Sequence, residues 1–218
     1  MATVIATSVL VGVLAYLAGS IPSAYIIAKH ATGKDITRSG SGNVGAMNVR
    51  RITGSWGWFV VTVIADMSKG FIPVAVTRLV LSRAPICLPS GGLPFLELLP
   101  IQAAVAGAVL GHSYSLYLAM MRGVFTRTGK GLATGAGALL AYDWRYLIAV
   151  VGAACLVILL TRYRLAGQVA AAAALPLASW VLSSPDWPFA VLMGVLVYLG
   201  HHKEFVGLLR GREHKLRV

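Results

Sequence analysis

The stretch RSGSGNVGAMNVRR, residues 38–51, combines closely spaced glycines with small polar and basic side chains. Glycine adopts backbone angles that other residues resist, so successive N–H groups in such a stretch can turn toward one anion. Arginine adds charge and a planar fork that matches phosphate oxygens. The pattern predicts a phosphate-binding loop, with a flexible basic loop lying against anionic lipid headgroups as the alternative. The residues that carry it are glycines 40, 42 and 45, the neutral donors Ser39, Ser41 and Asn43, and the cations Arg50 and Arg51.

A second glycine-plus-cation element, Gly129-Lys130-Gly131, stands where a short apolar run begins. A helix N-terminus at this point would itself favour anions, and the flexible Lys130 side chain adds a point charge. Two such elements predict two bound phosphates, or one phosphate held from both sides. The surrounding GVFTRTGKGL has five residues between its first glycine and the Gly-Lys pair, and it lacks the following hydroxyl. It therefore does not match the Walker nucleotide-binding loop, and nucleotide hydrolysis is disfavoured.

Two further groups of polar residues occur in apolar surroundings. Asp66 and Lys69 lie three residues apart, so on a helix they share a face, where they either neutralise each other or line a polar cavity. His201 and His202 follow the last apolar run. Either histidine could donate to a phosphate or exchange protons near neutral pH, and a histidine pair facing lipid headgroups is the alternative.

The chain that must position these groups is strongly apolar. Of its 218 residues 57% are hydrophobic, and the mean hydropathy is +0.77, which excludes an ordinary soluble fold. The run 131–142 covers only about 18 Å as a helix, short of a bilayer core of about 30 Å. We predict an all-α polytopic membrane protein, with residues 1–218 as one domain of seven transmembrane helices, one of them a half-span. The predicted spans are 2–28, 55–80, 98–121, 131–142, 146–161, 165–185 and 187–202.

The net charge of +12 is distributed unevenly between the loops. Assigning the loops alternately to the two sides of a membrane places 15 of the 19 Lys and Arg residues on one side. By the positive-inside rule that side is cytoplasmic, so the N-terminus is predicted outside and the C-terminus inside. The basic excess thus indicates orientation and not a nucleic-acid partner. Cys87 and Cys155 support neither a disulfide framework nor a sulfur-rich metal site.

Four stretches resemble, in order and spacing, the bacterial acyl-phosphate-dependent glycerol-3-phosphate acyltransferases of the PlsY type. They are GSGNVGAMNVRR, DMSKG, TGKGLATGAG and the tail with His201. The resemblance covers nearly the whole chain. It implies seven helices in the plasma (inner) membrane and a site open to the cytoplasm, with acyl phosphate, glycerol 3-phosphate and membrane lipid as partners and no metal or cofactor. The implied reaction moves a fatty acyl group from acyl phosphate to glycerol 3-phosphate, giving lysophosphatidic acid and inorganic phosphate. The candidate catalytic residues are Ser41, Arg51, Lys130 and His201, and the candidate substrate-binding residues are Ser39, Gly42, Asn43, Asn48, Lys69, Gly129, Gly131 and Arg162.

The chain departs from the family pattern at several positions. They are Met47 in place of the usual threonine, Leu165 and Gln168 in place of serines, and Glu204 and Gly207 in place of an asparagine and an arginine. An acidic side chain at position 204 repels a phosphate unless it is protonated or paired. A diverged acyltransferase that uses another phosphorylated acceptor is therefore a second prediction.

Two other functions fit parts of the sequence. HATGKD places His30 and Asp35 at the H-x4-D spacing of the other large acyltransferase class, in which the histidine is a general base. A broken span together with intramembrane Asp66 and Lys69 also fits a transporter for an anionic solute. Against a transporter, no inverted repeat is evident and the polar motifs cluster on one membrane face.

Overall fold

The computed structural model describes residues 1–83 and 94–209, except for the side chains at 94–95, 164, 199–205 and 207–209. Cys87 therefore lies outside the described residues, as do the side chains of His201 and Glu204 and the surroundings of Gly207. The described chain is helical and forms two compact units, Met1–Tyr142 and Asp143–Val218. The all-α prediction is thus confirmed for this part of the chain.

The helices divide between the two units. In the first unit they are α1 (Ala2–Ser20), α2 (Ser23–Thr32), α3 (Ala46–Thr53), α4 (Trp56–Arg83), α5 (Pro94–Glu97), α6 (Leu99–Ser113), α7 (Leu116–Arg122) and α8 (Leu132–Tyr142). In the second unit they are α9 (Trp144–Thr161), α10 (Arg164–Val181) and α11 (Trp187–Leu209). The stretch 29–53, predicted to be a loop, contains the end of α2, a 3-10 turn at Ile36–Arg38 and the whole of α3.

Four helical segments are long and apolar enough to cross a membrane. They are Ala2–Thr32, Trp56–Arg83, Leu99–Arg122 and Trp144–Thr161. Three shorter apolar helices accompany them, at Leu132–Tyr142, Leu165–Val181 and Trp187–Tyr198. The first of these coincides with the predicted half-span.

Two apolar runs that were predicted as single helices are each broken in the middle. Pro22 separates α1 from α2, because proline has no N–H and its ring clashes with the carbonyl of the preceding turn. A second break separates α6 from α7, and Ser115 caps the start of α7. The Ser115 hydroxyl donates to the Ser20 carbonyl at the end of α1. The Tyr16 hydroxyl likewise donates to the Tyr114 carbonyl at 2.8 Å. The two breaks thus satisfy each other's backbone groups, as a membrane interior requires.

The short helix α8 packs tightly against α4 through two glycines. A Cβ atom at Gly70 would overlap the Thr134 carbonyl, and one at Gly137 would overlap the Met67 carbonyl. Small residues at such positions let two helix backbones approach closely within a membrane. The Arg78 guanidinium donates to the carbonyls of the last two residues of α8 at 2.7 and 2.8 Å, where a cation stabilises a helix C-terminus. The N-terminal end of α8, which follows Lys130, is therefore held in a fixed place.

Candidate functional site

Asn48 organises the turn between the 3-10 turn and α3. Its side chain is buried, and its Oδ1 accepts from the Ser41 N–H at 2.9 Å. Its Nδ2 donates to the carbonyls of Ile36, Ser39 and Asn43 at 3.3, 3.0 and 3.0 Å. These contacts fix the shape of the turn from within, so Asn48 acts on it whether or not it also touches substrate.

Two of the three glycines in this turn adopt a conformation that favours glycine. Gly40 and Gly42 have φ of 63° and 72°, in the left-handed region. A Cβ atom at Gly40 would also overlap Oδ1 of Asn48. Gly45, by contrast, has φ of −159°, an extended conformation open to any residue.

The backbone N–H groups of this turn are largely engaged within the protein. Besides the Ser41 N–H, that of Gly42 donates to the Ser39 carbonyl at 3.1 Å, and that of Gly45 donates to the Asn43 carbonyl at 3.1 Å. The predicted cradle of amides is therefore mostly used to hold the turn together. The groups of this segment that stay available to an anion are therefore mainly side chains, and those of Ser41 and Arg51 are exposed.

The neighbouring arginines Arg50 and Arg51 have different surroundings. The Arg50 guanidinium stacks on Trp56, 3.4 Å from the ring centroid, a cation–π contact that holds it at the start of α4. Arg51 lies exposed on the last turn of α3. The sequence pattern treated the two alike, and the structure favours Arg51 as the one available to a ligand.

The second glycine-plus-cation element lies against the first. The Val44 N–H donates to the Thr128 carbonyl at 2.8 Å, and the Thr128 N–H donates to the Ser113 carbonyl at 2.8 Å. Ser41 and Lys130 stand three and two residues from the Val44–Thr128 bond. Gly131, with φ of 74°, then turns the chain into α8. The structure therefore brings together the two turns that the sequence singled out.

Asp66 and Lys69 pair with each other inside the first unit. Lys69 Nζ lies 2.9 Å from Asp66 Oδ1 and also donates to the Ile21 carbonyl, at the break between α1 and α2, at 3.0 Å. The Ser23 hydroxyl donates to the same carboxylate. This arrangement favours mutual neutralisation, as expected for charges within a membrane. A direct contact of Lys69 with substrate stays a prediction.

His30 and Asp35 have separate structural partners. The His30 ring packs edge-on against Trp58, with ring centroids 6.1 Å apart. The Asp35 carboxylate accepts from the Thr37 hydroxyl and N–H at 2.7 and 2.8 Å. The hydroxyl bond is the main cause that lowers the pKa of Asp35 from its ordinary value. These partners do not support a histidine general base assisted by Asp35.

The remaining predicted residues carry no described contact that decides their role. Arg162 belongs to the second unit, where it is exposed and has φ of 62°. Its role, like that of His201, stays a prediction. Met47, which stands in place of the family's usual threonine, is 46% exposed, so the absence of the threonine hydroxyl leaves no buried gap. Within the described ranges, no three His, Cys, Asp or Glu side chains are grouped to hold a metal ion.

Comparison with known proteins assigns the chain. Residues 9–211 match the family described as glycerol-3-phosphate acyltransferase. The chain belongs to this family. A glycerol-3-phosphate acyltransferase of Thermosynechococcus vestitus is 37% identical over 96% of this chain and 97% of its own length. One of Thermus thermophilus is 37% identical over 93% of this chain and 92% of its own length.

Two crystal structures of PlsY, an integral membrane glycerol 3-phosphate acyltransferase, share the fold. Its glycerol 3-phosphate form is 29% identical, with a TM-score of 0.74 over 96% of both chains. Its lysophosphatidic acid form is 28% identical, with a TM-score of 0.72 over 96% of this chain and 95% of that one. The predicted family and enzyme class are therefore confirmed, and neither the transporter nor the second acyltransferase class is supported.

Sequence reasoning missed three residues that shape the site. Thr128 joins the two turns, Ser23 bonds to Asp66, and His112 lies beneath the second turn. Pro22 was the available signal for a break near Ser23. Thr128 and His112 act through contacts between distant segments, which periodicity and composition do not reveal.

Proposed function

We propose that the chain transfers a fatty acyl group from acyl phosphate to the hydroxyl of glycerol 3-phosphate at the junction of its two glycine-plus-cation turns. The observation that carries this proposal is the Val44–Thr128 backbone bond, which joins the turns directly. Both proposed substrates carry a phosphate, and each turn supplies a cation. Family membership supports the reaction class, and the acyl-phosphate donor follows from the resemblance.

The two turns suit two different phosphate groups. Ser41 and Arg51 offer a hydroxyl and a guanidinium fork on exposed positions of the first turn. Lys130 offers an ammonium group beside the N-terminus of α8, whose first N–H groups have no acceptor within the helix. We assign one substrate phosphate to each turn, which places the acyl carbon and the acceptor hydroxyl between them.

The chemistry needs positioning more than a covalent intermediate, because phosphate is already a good leaving group. The acceptor oxygen attacks the acyl carbon, the new C–O ester bond forms, and the bond from that carbon to the phosphate oxygen breaks. The hydroxyl proton passes to a substrate phosphate oxygen or to His201, and inorganic phosphate leaves. Ordered cations hold the two anions in line and stabilise the developing oxyanion, which supplies most of the rate.

The membrane arrangement is part of the proposal. Four long and three shorter apolar helices support seven spans, with α8 as the half-span. The 15 basic residues on one side of the loop pattern support a cytoplasmic site, an outside N-terminus and an inside C-terminus in the plasma (inner) membrane. We treat residues 1–218 as one acyltransferase domain that makes lysophosphatidic acid for phospholipid synthesis.

Donor and acceptor specificity test the proposal directly. Purified protein in detergent is given glycerol 3-phosphate together with one acyl donor: acyl phosphate, acyl-CoA or acylated acyl carrier protein. The products are identified by mass spectrometry. A parallel panel replaces glycerol 3-phosphate with other phosphorylated polyols, because Glu204 departs from the family pattern.

We expect lysophosphatidic acid from acyl phosphate and glycerol 3-phosphate, and little product from the other donors. Product from acyl-CoA with none from acyl phosphate would overturn the assigned donor. A strong preference for another polyol phosphate would overturn the assigned acceptor.

A further inference from the structure

We propose that Asp66 and His112 form a buried positioning pair that holds the Gly129–Gly131 turn and thereby aims Lys130 at its phosphate. This inference rests on the proposed function, because it concerns the same site. His112 lies outside the motifs, and Asp66 was singled out only for its pairing with Lys69 or for lining a polar cavity. Asp66 anchors the pair, and His112 connects it to the turn.

Asp66 is fixed by two partners, one on α2 and one on its own helix α4. It is 2% exposed, and its Oδ1 receives the Ser23 hydroxyl from α2. Lys69 Nζ, one turn further along α4, lies 2.9 Å away and is itself tied to the break between α1 and α2 through the Ile21 carbonyl. A buried charge that is paired in this way has one geometry, because leaving it unpaired is costly.

The His112 ring lies between this carboxylate and the second turn. Its Nδ1 faces Asp66 Oδ1 across 3.7 Å, longer than a hydrogen bond. On the other side, a Cβ atom at Gly129 would overlap Nε2 and Cδ2 of the ring. The ring therefore fills the space left by the missing side chain of Gly129, the residue directly before Lys130.

The backbone of His112 holds the same turn. Its carbonyl accepts from the Thr128 hydroxyl at 3.2 Å, and the next carbonyl, that of Ser113, accepts from the Thr128 N–H at 2.8 Å. The turn is thus supported by ring contact at residue 129 and by hydrogen bonds at residue 128. Any displacement of the ring moves the backbone that carries the Lys130 side chain.

One feature of His112 sets it apart from an ordinary packed histidine. Its Nδ1 is buried and makes no hydrogen bond within the described part of the chain. Buried polar atoms are rarely left without a hydrogen-bond partner, and a catalytic role is one reason for such an exception. The polar ring is kept there, facing Asp66, although an apolar side chain would fill the same volume at lower cost.

A double-mutant cycle between His112 and Lys130 tests the inference with acyl phosphate and glycerol 3-phosphate as substrates. The variants are His112→Ala, Lys130→Met and their combination, each checked for folding by thermal unfolding in detergent. We expect His112→Ala to lower kcat/KM about 10²-fold, as a displacement of about 1 Å in a catalytic group does. In the Lys130→Met background the same substitution should change kcat/KM by less than about threefold, because the ring then has no cation left to aim.

A matched control lies in the same helix. Gln102 is a buried polar residue of α6, 4% exposed, with its Nε2 unbonded in the described structure. Gln102→Met should leave kcat/KM unchanged in both backgrounds. If His112→Ala does not fold, His112→Gln takes its place in the cycle.

The outcomes separate the two proposals. Equal multiplicative losses from the His112 substitution in both backgrounds, or a His112 variant with the wild-type rate, would overturn the positioning role alone. A Lys130→Met variant with the wild-type rate would overturn the proposed site and this inference together. A matching cycle with the double variant Asp66→Asn, Lys69→Met, which removes both buried charges at once, should show the same coupling to Lys130, with a large loss in the wild-type background and a small one in the Lys130→Met background.

Discussion

At the scale of single residues, residue type and spacing identified the cations and small polar groups. They did not show which of these groups are already bound to other parts of the protein. Arg50 and Arg51 are adjacent and identical in type, yet only Arg50 stacks on Trp56. The resemblance implies that Asn48 binds substrate, yet its side-chain amide forms hydrogen bonds that hold the turn together. The Asn48 partners lie 5 to 12 residues away along the chain, and the contacts form only once the turn is folded, so residue type and spacing alone do not predict them.

Asn48 gives a prediction that separates structural from direct roles. Asn48→Ala leaves buried backbone groups of the turn unpaired, which costs about 1–3 kcal/mol. We expect a lower thermal unfolding temperature in detergent together with lost activity. Asn48→Asp keeps the acceptor for the Ser41 N–H but loses both Nδ2 donors, so it should also be destabilised. Unchanged unfolding temperatures with lost activity would show that Asn48 acts on substrate alone.

At the scale of elements, hydropathy predicted the apolar segments well and their internal breaks poorly. The half-span 131–142 agrees with α8 at Leu132–Tyr142 because its charged and glycine boundaries are local signals. The break between α6 and α7 depends on Ser115 bonding to Ser20 in another helix. A contact of that kind leaves no mark on periodicity, whereas Pro22 marked the other break openly.

The second prediction concerns the close packing of α4 on α8. Gly70→Ala would force a methyl group into the Thr134 carbonyl, and overpacking of this kind costs about 1–3 kcal/mol. We expect a lower unfolding temperature and reduced activity, because α8 carries Lys130 at its start. Gly152→Ala is the matched control on α9, where a Cβ atom would meet nothing within 4 Å. Equal stability of both variants would contradict the packing argument.

At the scale of the whole molecule, composition and charge asymmetry predicted an all-helical membrane protein, and the fold and family agree with that. The seven proposed spans rest on the apolar runs, and their proposed orientation rests on loop charges, which act through the membrane and not through contacts in the folded chain. That the two glycine-plus-cation elements act at one site was a hypothesis from chemistry, and it did not name Val44 or Thr128. It took a three-dimensional structure to show the bond between them.

Orientation yields the third prediction. In a background with Cys87→Ser and Cys155→Ser, a cysteine introduced at Ala2 should react in intact cells with a maleimide that cannot cross the membrane. A cysteine at Ser41 should react only after the membrane is opened, because we propose that this turn faces the cytoplasm. Labelling of the Ser41→Cys variant in intact cells would reverse the assigned topology.

The central claim is that the joined turns supply the cations that hold two phosphorylated substrates, and steady-state kinetics of three variants test it most directly. We predict that Arg51→Gln and Lys130→Met each lose about 10²- to 10³-fold in kcat/KM, the scale of removing one charge-stabilising donor. Arg50→Gln, whose cation rests on Trp56, should lose far less. Wild-type rates for Arg51→Gln and Lys130→Met, or an equal loss in Arg50→Gln, would contradict the account.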